Sequence, residues 1–216
     1  MKKNVVLFVL FILPIVAYLF FASGINSFAK LPVITKSIQD ISSFQSNEKA
    51  IVTLNNKITI LGFVGSTIHK GNFFNLYEKI YNKNKEFKDF QMVIVVPLGM
   101  EHQIEKLKLD LLKLGSVSGW HFVFASPSDI NKFYSSMNLV GKLDANLGSQ
   151  NVFIVDKKRN LRGRKGKSIK GDVEYREGYN TQLVSELHNE MTDDVKVILA
   201  EYRLALKRNK NASRKI

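Results

Sequence analysis

The chain has 216 residues and a formal net charge of +13, with 45% hydrophobic and 24% charged residues. This composition is typical of a globular protein and excludes an intrinsically disordered chain. Cysteine is absent, which excludes disulfide bonds, thiolate metal sites, thiol–disulfide exchange and lipid attachment through a cysteine.

The N-terminal segment predicts a membrane anchor over residues 1–24. Residues 5–22 carry no charge, and as a helix they span about 27 Å, close to the ~30 Å hydrocarbon core of a bilayer. A cleaved signal peptide is the alternative, with Lys2 and Lys3 at its basic end. The uncharged run is longer than a usual signal-peptide core, so we expect an uncleaved anchor. The basic N-terminus favours a domain outside the cytoplasm, on the periplasmic side of a bacterial inner membrane.

Residues 25–50 are polar and mixed, which predicts a tether that leads into the first short strands. We expect a folded domain over residues 51–190 that begins near Ile51. Its first two strands are short, apolar and rich in branched side chains, as expected for strands buried on both faces of a parallel sheet. They are Ile58–Val64 and Met92–Val96, and each precedes a helical pattern, Phe73–Tyr81 and Ile104–Leu114 respectively. A right-handed crossover makes the two strands parallel neighbours.

The second half of the domain has a different order of elements. We predict a strand at Trp120–Ala125, a helix at Ile130–Met137, a hairpin of Asn151–Asp156 and Leu161–Gly166 around a polar turn, and a helix at Gln182–His188. Residues 191–216 add an amphipathic helix, Asp193–Arg208, with Thr192 as its cap, and a basic tail. This order predicts an α/β protein with a thioredoxin-like fold, in which helices flank a central mixed sheet, preceded by one N-terminal transmembrane helix.

Two segments, residues 63–73 (FVGSTIHKGNF) and residues 148–156 (GSQNVFIVD), carry a pattern that resembles the Sco/SenC family of membrane-anchored proteins that deliver copper to cytochrome c oxidase. In that family a strand leads into Phe-x-x-Thr-x-Cys-Pro-x-x-Cys-Pro, and residues 63–73 (FVGSTIHKGNF) follow the same register. The family then has a His-Ser pair before an apolar strand that ends in Ile-Asp, and residues 148–156 (GSQNVFIVD) occupy that place. The resemblance therefore puts Ile68 and Asn72 at the two cysteine positions and Gly148 at the metal-binding histidine.

The resemblance implies a role in respiratory-oxidase biogenesis, but the chain departs from the family at its ligands. A soft copper site needs two thiolates and an imidazole, and Ile68, Asn72 and Gly148 supply none of these atoms. We therefore expect a non-catalytic binding or assembly module with an unidentified protein partner, no cofactor and no enzyme activity. Two alternatives stay open: an enzyme of unknown type, and a residual copper carrier.

The copper alternative would use His69, Met100 and His102, because the loops that follow parallel neighbouring strands emerge at the same edge of the sheet. Imidazole and thioether groups suit copper. The competing interpretation is two ordinary surface histidines and a methionine that fills a gap in packing.

A basic run follows the predicted hairpin strand. Residues 157–170 hold eight Lys or Arg residues and no acid. A solvated hairpin is one interpretation, and contact with anionic lipid headgroups is the other. The candidates for lipid contact are Lys157, Lys158, Arg159, Arg162, Arg164 and Lys165. Nucleic acid is disfavoured because the run lacks interleaved aromatic residues and the chain carries an anchor.

Overall fold

The structure is a computed structural model that describes residues 2–23, 30–48, 50–167 and 171–212. The strands are β1 (Val33–Thr35), β2 (Gln45–Ser46), β3 (Ile58–Phe63), β4 (Phe90–Pro97), β5 (Trp120–Ala125), β6 (Asn151–Val155), β7 (Leu161–Arg162), β8 (Arg164–Lys167), β9 (Val173–Arg176) and β10 (Tyr179–Asn180). The helices are α1 (Lys2–Ser23), α2 (Lys70–Leu76), α3 (Asn82–Asn84), α4 (Glu101–Leu112), α5 (Pro127–Ser136), α6 (Val184–Glu186) and α7 (Thr192–Ala212), with π-helical segments at Tyr77–Tyr81 and Leu187–Met191.

A mixed sheet forms the centre of the domain, in the order β1-β7-β6-β3-β4-β5-β2, with β10 also paired to β6. The strands β3, β4 and β5 are parallel neighbours, and β6 runs antiparallel to β3. The predicted parallel pairing of the first two long strands is confirmed. Their near-continuous apolar sequences fit this central position, since both faces of the sheet are covered.

Side chains that alternate along the strands form a core on each face of the sheet. On β4, Met92 and Ile94 belong to one core, and Val93 and Val95 belong to the other. The first core is closed by α2, α4, α7 and the π-helical segments, and the second by α5 and residues from the 38–54 region. Helix α5 begins at Pro127, three residues before the predicted Ile130, because Pro127 suits the first turn of a helix and the Ser126 hydroxyl accepts a hydrogen bond from the amide of Asp129 at 3.2 Å.

The folded domain starts earlier than the predicted Ile51. Strands β1 and β2 pair with β7 and β5, and Leu31, Ile38 and Ile41 are buried. A polar residue of the predicted tether joins this region to the start of the predicted domain, because the carboxylate of Asp40 accepts hydrogen bonds from the amide of Leu54 at 2.8 Å and the hydroxyl of Thr53 at 2.6 Å. The described residues from position 30 onward therefore belong to the domain.

The predicted cap at Thr192 is wrong. The π-helical segment Leu187–Met191 runs directly into α7, so Thr192 lies inside a continuous helical stretch. Its hydroxyl donates to the carbonyl of Leu187 at 2.8 Å. The buried stripe of α7 is confirmed at Val195, Ile198 and Leu199. Ala205 and Leu206, which the pattern also places on this stripe, and the basic side chains from Lys207 onward lie outside the described side chains.

The predicted strand Leu161–Gly166 is broken at Gly163. The amide of Gly163 donates to the Pro32 carbonyl at 3.0 Å, and a Cβ there would lie 2.2 Å from the Arg176 carbonyl oxygen. The chain therefore leaves the central sheet after β7, and β8 pairs with β9 in a separate two-stranded sheet.

Helix α1 covers most of the predicted anchor. Its described side chains are exposed and apolar, for example Leu10 and Leu13 at 66% and 61% exposure. Among the described residues, no helix combines the length and hydropathy of a membrane span. The membrane anchor therefore stays a prediction.

Candidate binding site at the end of strand β3

The loop after β3 is fixed by a second loop that precedes β6. Val64 forms an isolated antiparallel bridge with Gly148. The amide of Ser149 donates to the Phe63 carbonyl at 2.9 Å, and the amide of Ser66 donates to the Asn146 carbonyl at 3.0 Å. The two segments that resemble the family motifs are therefore neighbours in space.

Close backbone contact at this junction requires glycine. Gly65 has a φ of +65°, and a Cβ there would lie 2.6 Å from the Asn146 carbonyl oxygen. On the opposite loop, Asp144 organises a turn, because one carboxylate oxygen accepts the amides of Asn146 and Gly148, each at 2.8 Å. Backbone hydrogen bonds join the two loops, and the Asp144 carboxylate fixes the turn of the second.

A cavity of about 180 Å³ lies between these loops and α2. Its floor is apolar and buried, and its rim is polar. The floor consists of Gly62, Phe73, Leu76, Ile94 and Val152, and the rim includes Thr67, His69, Asn72, Asp144, Asn146, Ser149, Gln150, Thr181 and Gln182. The cavity lies at the carboxyl end of β3 and β4, where parallel sheets commonly place their sites.

The three positions that the family resemblance singles out do not share one environment. Asn72 and Gly148 line the cavity, whereas the half-buried Ile68 packs against the core that contains α2. These residues do not fit a copper ion, because Ile68 is a hydrocarbon, Gly148 has no side chain and Asn72 offers only an amide, while Cu(I) prefers thiolate or thioether ligands. No chemistry that passes through copper follows from this site.

The three alternative copper ligands are not brought together at the cavity. His69 is exposed on its rim, Met100 is half-buried against the core, and His102 is exposed on α4. Within residues 2–23, 30–48, 50–167 and 171–212, no group of three or more His, Asp or Glu side chains is placed to hold a metal ion. Copper binding by these residues stays a prediction.

The start of α2 is tied to α4 by a small charge cluster. Asp110 pairs with Lys113 and with Lys70, each at 2.7 Å. Hydrogen bonds from these two lysines, Lys113 first, lower the pKa of the Asp110 carboxyl to about 2. The carboxylate is therefore ionised at any physiological pH, and it holds the loop that carries His69 against α4.

The basic run is less available to lipid than its sequence suggests. Arg162 is 5% exposed, donates to the Leu31 carbonyl at 2.8 Å, and pairs with Asp156 at 2.8 Å and Glu201 at 2.5 Å. A buried guanidinium whose donors are occupied by carboxylates and a carbonyl cannot contact a headgroup. The candidacy of Arg162 as an anionic-surface contact is therefore wrong.

Two further members of the run are engaged within the protein. Lys157 forms an ion pair with Asp89 and lies over the ring of Tyr202. Arg164 pairs with Asp194 at 2.8 Å, with Glu174 at 3.2 Å and with Glu190 at 3.4 Å. Their charges are balanced by internal partners, so neither serves as a free cation.

Three candidates of the basic run remain. Lys158 and Lys165 are exposed and Arg159 is half-buried, whereas positions 168–170 lie outside the described residues. Lipid contact by these three side chains stays a prediction.

Sequence reasoning missed the amide-rich rim of the cavity. Gln150 and Gln182 lie at the start of β6 and after β10, which pair antiparallel, so the chain brings them to one side of the cavity. The sequence does show polar residues on either side of the predicted hairpin region, at Gln150 and Gln182. These residues could not be predicted to meet, because β10 has only two residues and its pairing with β6 is a tertiary contact.

The fold is similar to that of solved Sco-family structures. BsSco, described as a member of the Sco family of cytochrome c oxidase assembly proteins, superposes with a TM-score of 0.55 at 16% identity, over 78% of this chain and 95% of that one. A SCO1/SenC family lipoprotein from Bacillus anthracis str. Ames gives the same TM-score and identity over 79% and 99%. No protein-family profile matches the sequence, and no curated protein matches it. At this identity the likeness shows the fold, and the predicted thioredoxin-like α/β fold, a mixed sheet with flanking helices, is confirmed.

Proposed function

We propose that this chain is a membrane-tethered, non-catalytic binding module of Sco-like descent. It acts in the assembly of a respiratory oxidase through a protein partner, and its domain lies on the periplasmic side of a bacterial inner membrane. One observation carries the proposal: a cavity lies where the resembled family places its ligands, yet Ile68, Asn72 and Gly148 leave it without thiolate or imidazole at those positions. A site that keeps its shape but lacks reactive atoms can bind, but it cannot transfer electrons or hold Cu(I) by the family chemistry.

The tether in this proposal is α1. Its support is the uncharged sequence of residues 5–22 and the exposure of apolar side chains such as Leu10 and Leu13. An exposed apolar surface of this kind is unfavourable in water and favourable in a bilayer or at its surface.

The full chain expressed in a bacterium is expected in the membrane fraction, and to remain there after a high-salt wash that screens surface charge. Changing Leu10→Lys and Leu13→Lys together should move most of the protein to the soluble fraction, because each cation costs about 2.5–3.5 kcal/mol near the centre of a bilayer. Fractionation followed by immunoblotting measures the partition. Equal solubility of both forms would contradict the tether.

The purified full chain in detergent is expected neither to reduce insulin disulfides nor to bind one equivalent of Cu(I) tightly. The reason is the absence of thiolates, since the chain has no cysteine. A turbidity assay and competition against a chromophoric Cu(I) chelator measure the two activities. Stoichiometric copper binding that is lost in His69→Ala, but kept in the matched surface variant His188→Ala, would overturn the proposal and favour the copper carrier.

A further inference from the structure

We infer that the cavity at the end of β3 is an anchor pocket for one apolar side chain of an uncharged, extended segment of a partner protein. The inference rests on the proposed function as a binding module and specifies the chemistry of its ligand. Four features support it: the size of the cavity, its floor, its rim and its charge.

The size of the cavity selects a single side chain. At about 180 Å³ it is close to the ~150 Å³ of an engineered protein cavity that accepts benzene. Sites for cofactors and drug-sized molecules usually measure about 300–1,000 Å³. The cavity therefore holds one aromatic ring or one branched aliphatic group, the size of an interface anchor residue.

The floor of the cavity is built to take an apolar group. Leu76, Ile94 and Val152 are 2–3% exposed, and none of these side chains has a polar atom to satisfy. Gly62 contributes no side chain to the floor, and a Cβ there would press on the Cδ1 of Ile94 at 3.0 Å and the Cγ1 of Val152 at 3.4 Å. An apolar side chain placed here gains about 25 cal/mol per Å² of surface removed from water.

The rim offers hydrogen bonds that the protein does not use itself. The side-chain amides of Asn72, Asn146, Gln150 and Gln182 have no hydrogen-bond partner in the described part of the chain. An amide side chain presents one acceptor and two donors, which complements the carbonyl and N–H of a peptide backbone. Several free amides around one apolar hole therefore fit a peptide segment with an inserted side chain.

The charge of the lining excludes other ligands. No Lys or Arg lines the cavity, and its one acid, Asp144, uses a carboxylate oxygen to hold two backbone amides of its own turn. Phosphorylated or strongly acidic ligands would find no cation to pair with. A neutral peptide segment brings no charge against the single carboxylate of this site, whose Oδ1 is already occupied by two amides.

The test is a selection of random peptides displayed on phage against the full chain in detergent, followed by fluorescence-polarisation titration of the enriched synthetic peptides. Enriched sequences are expected to share one large apolar residue and to carry little net charge. Replacing that residue with Ala should weaken binding by at least about tenfold, since burying a large apolar side chain is worth well over 1.4 kcal/mol. Enrichment of charged sequences, or no enrichment, would overturn the inference.

Two variants locate the binding at this cavity. Gln150→Ala with Gln182→Ala removes two free amides and should weaken peptide binding about tenfold, because two hydrogen bonds to the peptide backbone are lost. Gly62→Ala adds a methyl group to the floor, and should weaken the peptides with the largest anchor most. The control, Gln103→Ala with Asn131→Ala, removes two exposed amides elsewhere and should bind as the unmodified chain does. Equal binding by all three variants would overturn the inference.

The outcome separates the inference from the function on which it rests. Tight Cu(I) binding in the competition assay would overturn the proposed function whatever the peptides do. An inert chain that selects no apolar peptide would overturn only the anchor pocket.

Discussion

Replacing Arg162 with Met is expected to destabilise the folded domain by about 3–5 kcal/mol, the usual effect of removing one partner from a buried ion pair. The side chain of Asp156 is 1% exposed, and Arg162 is the one side-chain cation paired with it among the residues that the structure describes. The same change removes the hydrogen bonds from Arg162 to Glu201 and to the Leu31 carbonyl. The bond to Leu31 links residues 30–35 to the sheet. Because small domains have a total stability of about 5–15 kcal/mol, this one substitution should remove a large fraction of it.

Urea unfolding of the full chain, followed by the fluorescence of the single tryptophan, measures this effect. Trp120 is 1% exposed within the first core, so its emission reports loss of packing. The matched control is Lys158→Met, which removes a cation from an exposed position in the same hairpin and should change stability by no more than about 0.5 kcal/mol. Similar midpoints for the two variants would mean that the charge network around Arg162 is not structural.

The burial of Arg162 and its ion pairs could not be predicted from the sequence. Within the run 157–170 its charge has the same appearance as that of Lys158, and nothing local distinguishes a buried arginine from an exposed lysine. The difference comes from Glu201, which lies 39 residues further along the chain and reaches Arg162 only when α7 packs on the sheet. Such a pair depends on tertiary structure and has no periodic signal in the sequence.

The central strands could be predicted because local and tertiary preferences agree in them. Residues 92–96 are branched or apolar at every position, and only a strand covered on both faces accommodates such a run. The helix expected over Phe73–Tyr81 exists, but its second half is π-helical, a widened turn that buries Tyr77, Ile80 and Tyr81 together. Apolar spacing alone does not distinguish that turn from an α-helix.

The candidate site was predictable in position but not in character. The family resemblance placed Gly148 opposite the loop after β3, and the bridge between Val64 and Gly148 is consistent with that register. The free amides of Gln150 and Gln182 followed from no motif, because they depend on how β10 is paired. The position of the site could therefore be predicted from the register of the resembled motifs, whereas the amides that line it could be identified only from the tertiary structure.

Restoring the absent ligands provides the strongest test of this register. The triple change Ile68→Cys, Asn72→Cys and Gly148→His is expected to create a stoichiometric Cu(I) site in a chain for which we expect none, because two thiolates and an imidazole form a soft donor set. Positions 72 and 148 already share the cavity. The half-buried Ile68 must turn from the core toward it, which costs some packing.

The histidine is the demanding part of this design. A Cβ at Gly148 would lie 3.0 Å from Oδ2 of Asp144 and 3.2 Å from the Val64 carbonyl oxygen. The carboxylate can rotate away, but the backbone oxygen must move by a few tenths of an ångström. Adding Asp144→Asn to the triple variant keeps a side-chain acceptor for the turn and removes a charge beside the new imidazole. We therefore expect it to bind Cu(I) at least as well as the triple variant.

A displaced pair of cysteines is the matched control. Thr67→Cys and Gly71→Cys, combined with Gly148→His, keep the spacing of four residues, but both positions are exposed, and a Cβ at Gly71 meets nothing within 4 Å. A thiolate at position 71 would point to solvent, so this pair should not converge on residue 148, although Thr67 itself lies on the rim of the cavity. Chelator competition should show Cu(I) binding weaker by at least about tenfold, or ~1.4 kcal/mol. Equal affinity in the two designs would mean that Ile68, Asn72 and Gly148 have no special geometry, and that the likeness to the Sco/SenC site does not extend from the fold to the positions of its ligands.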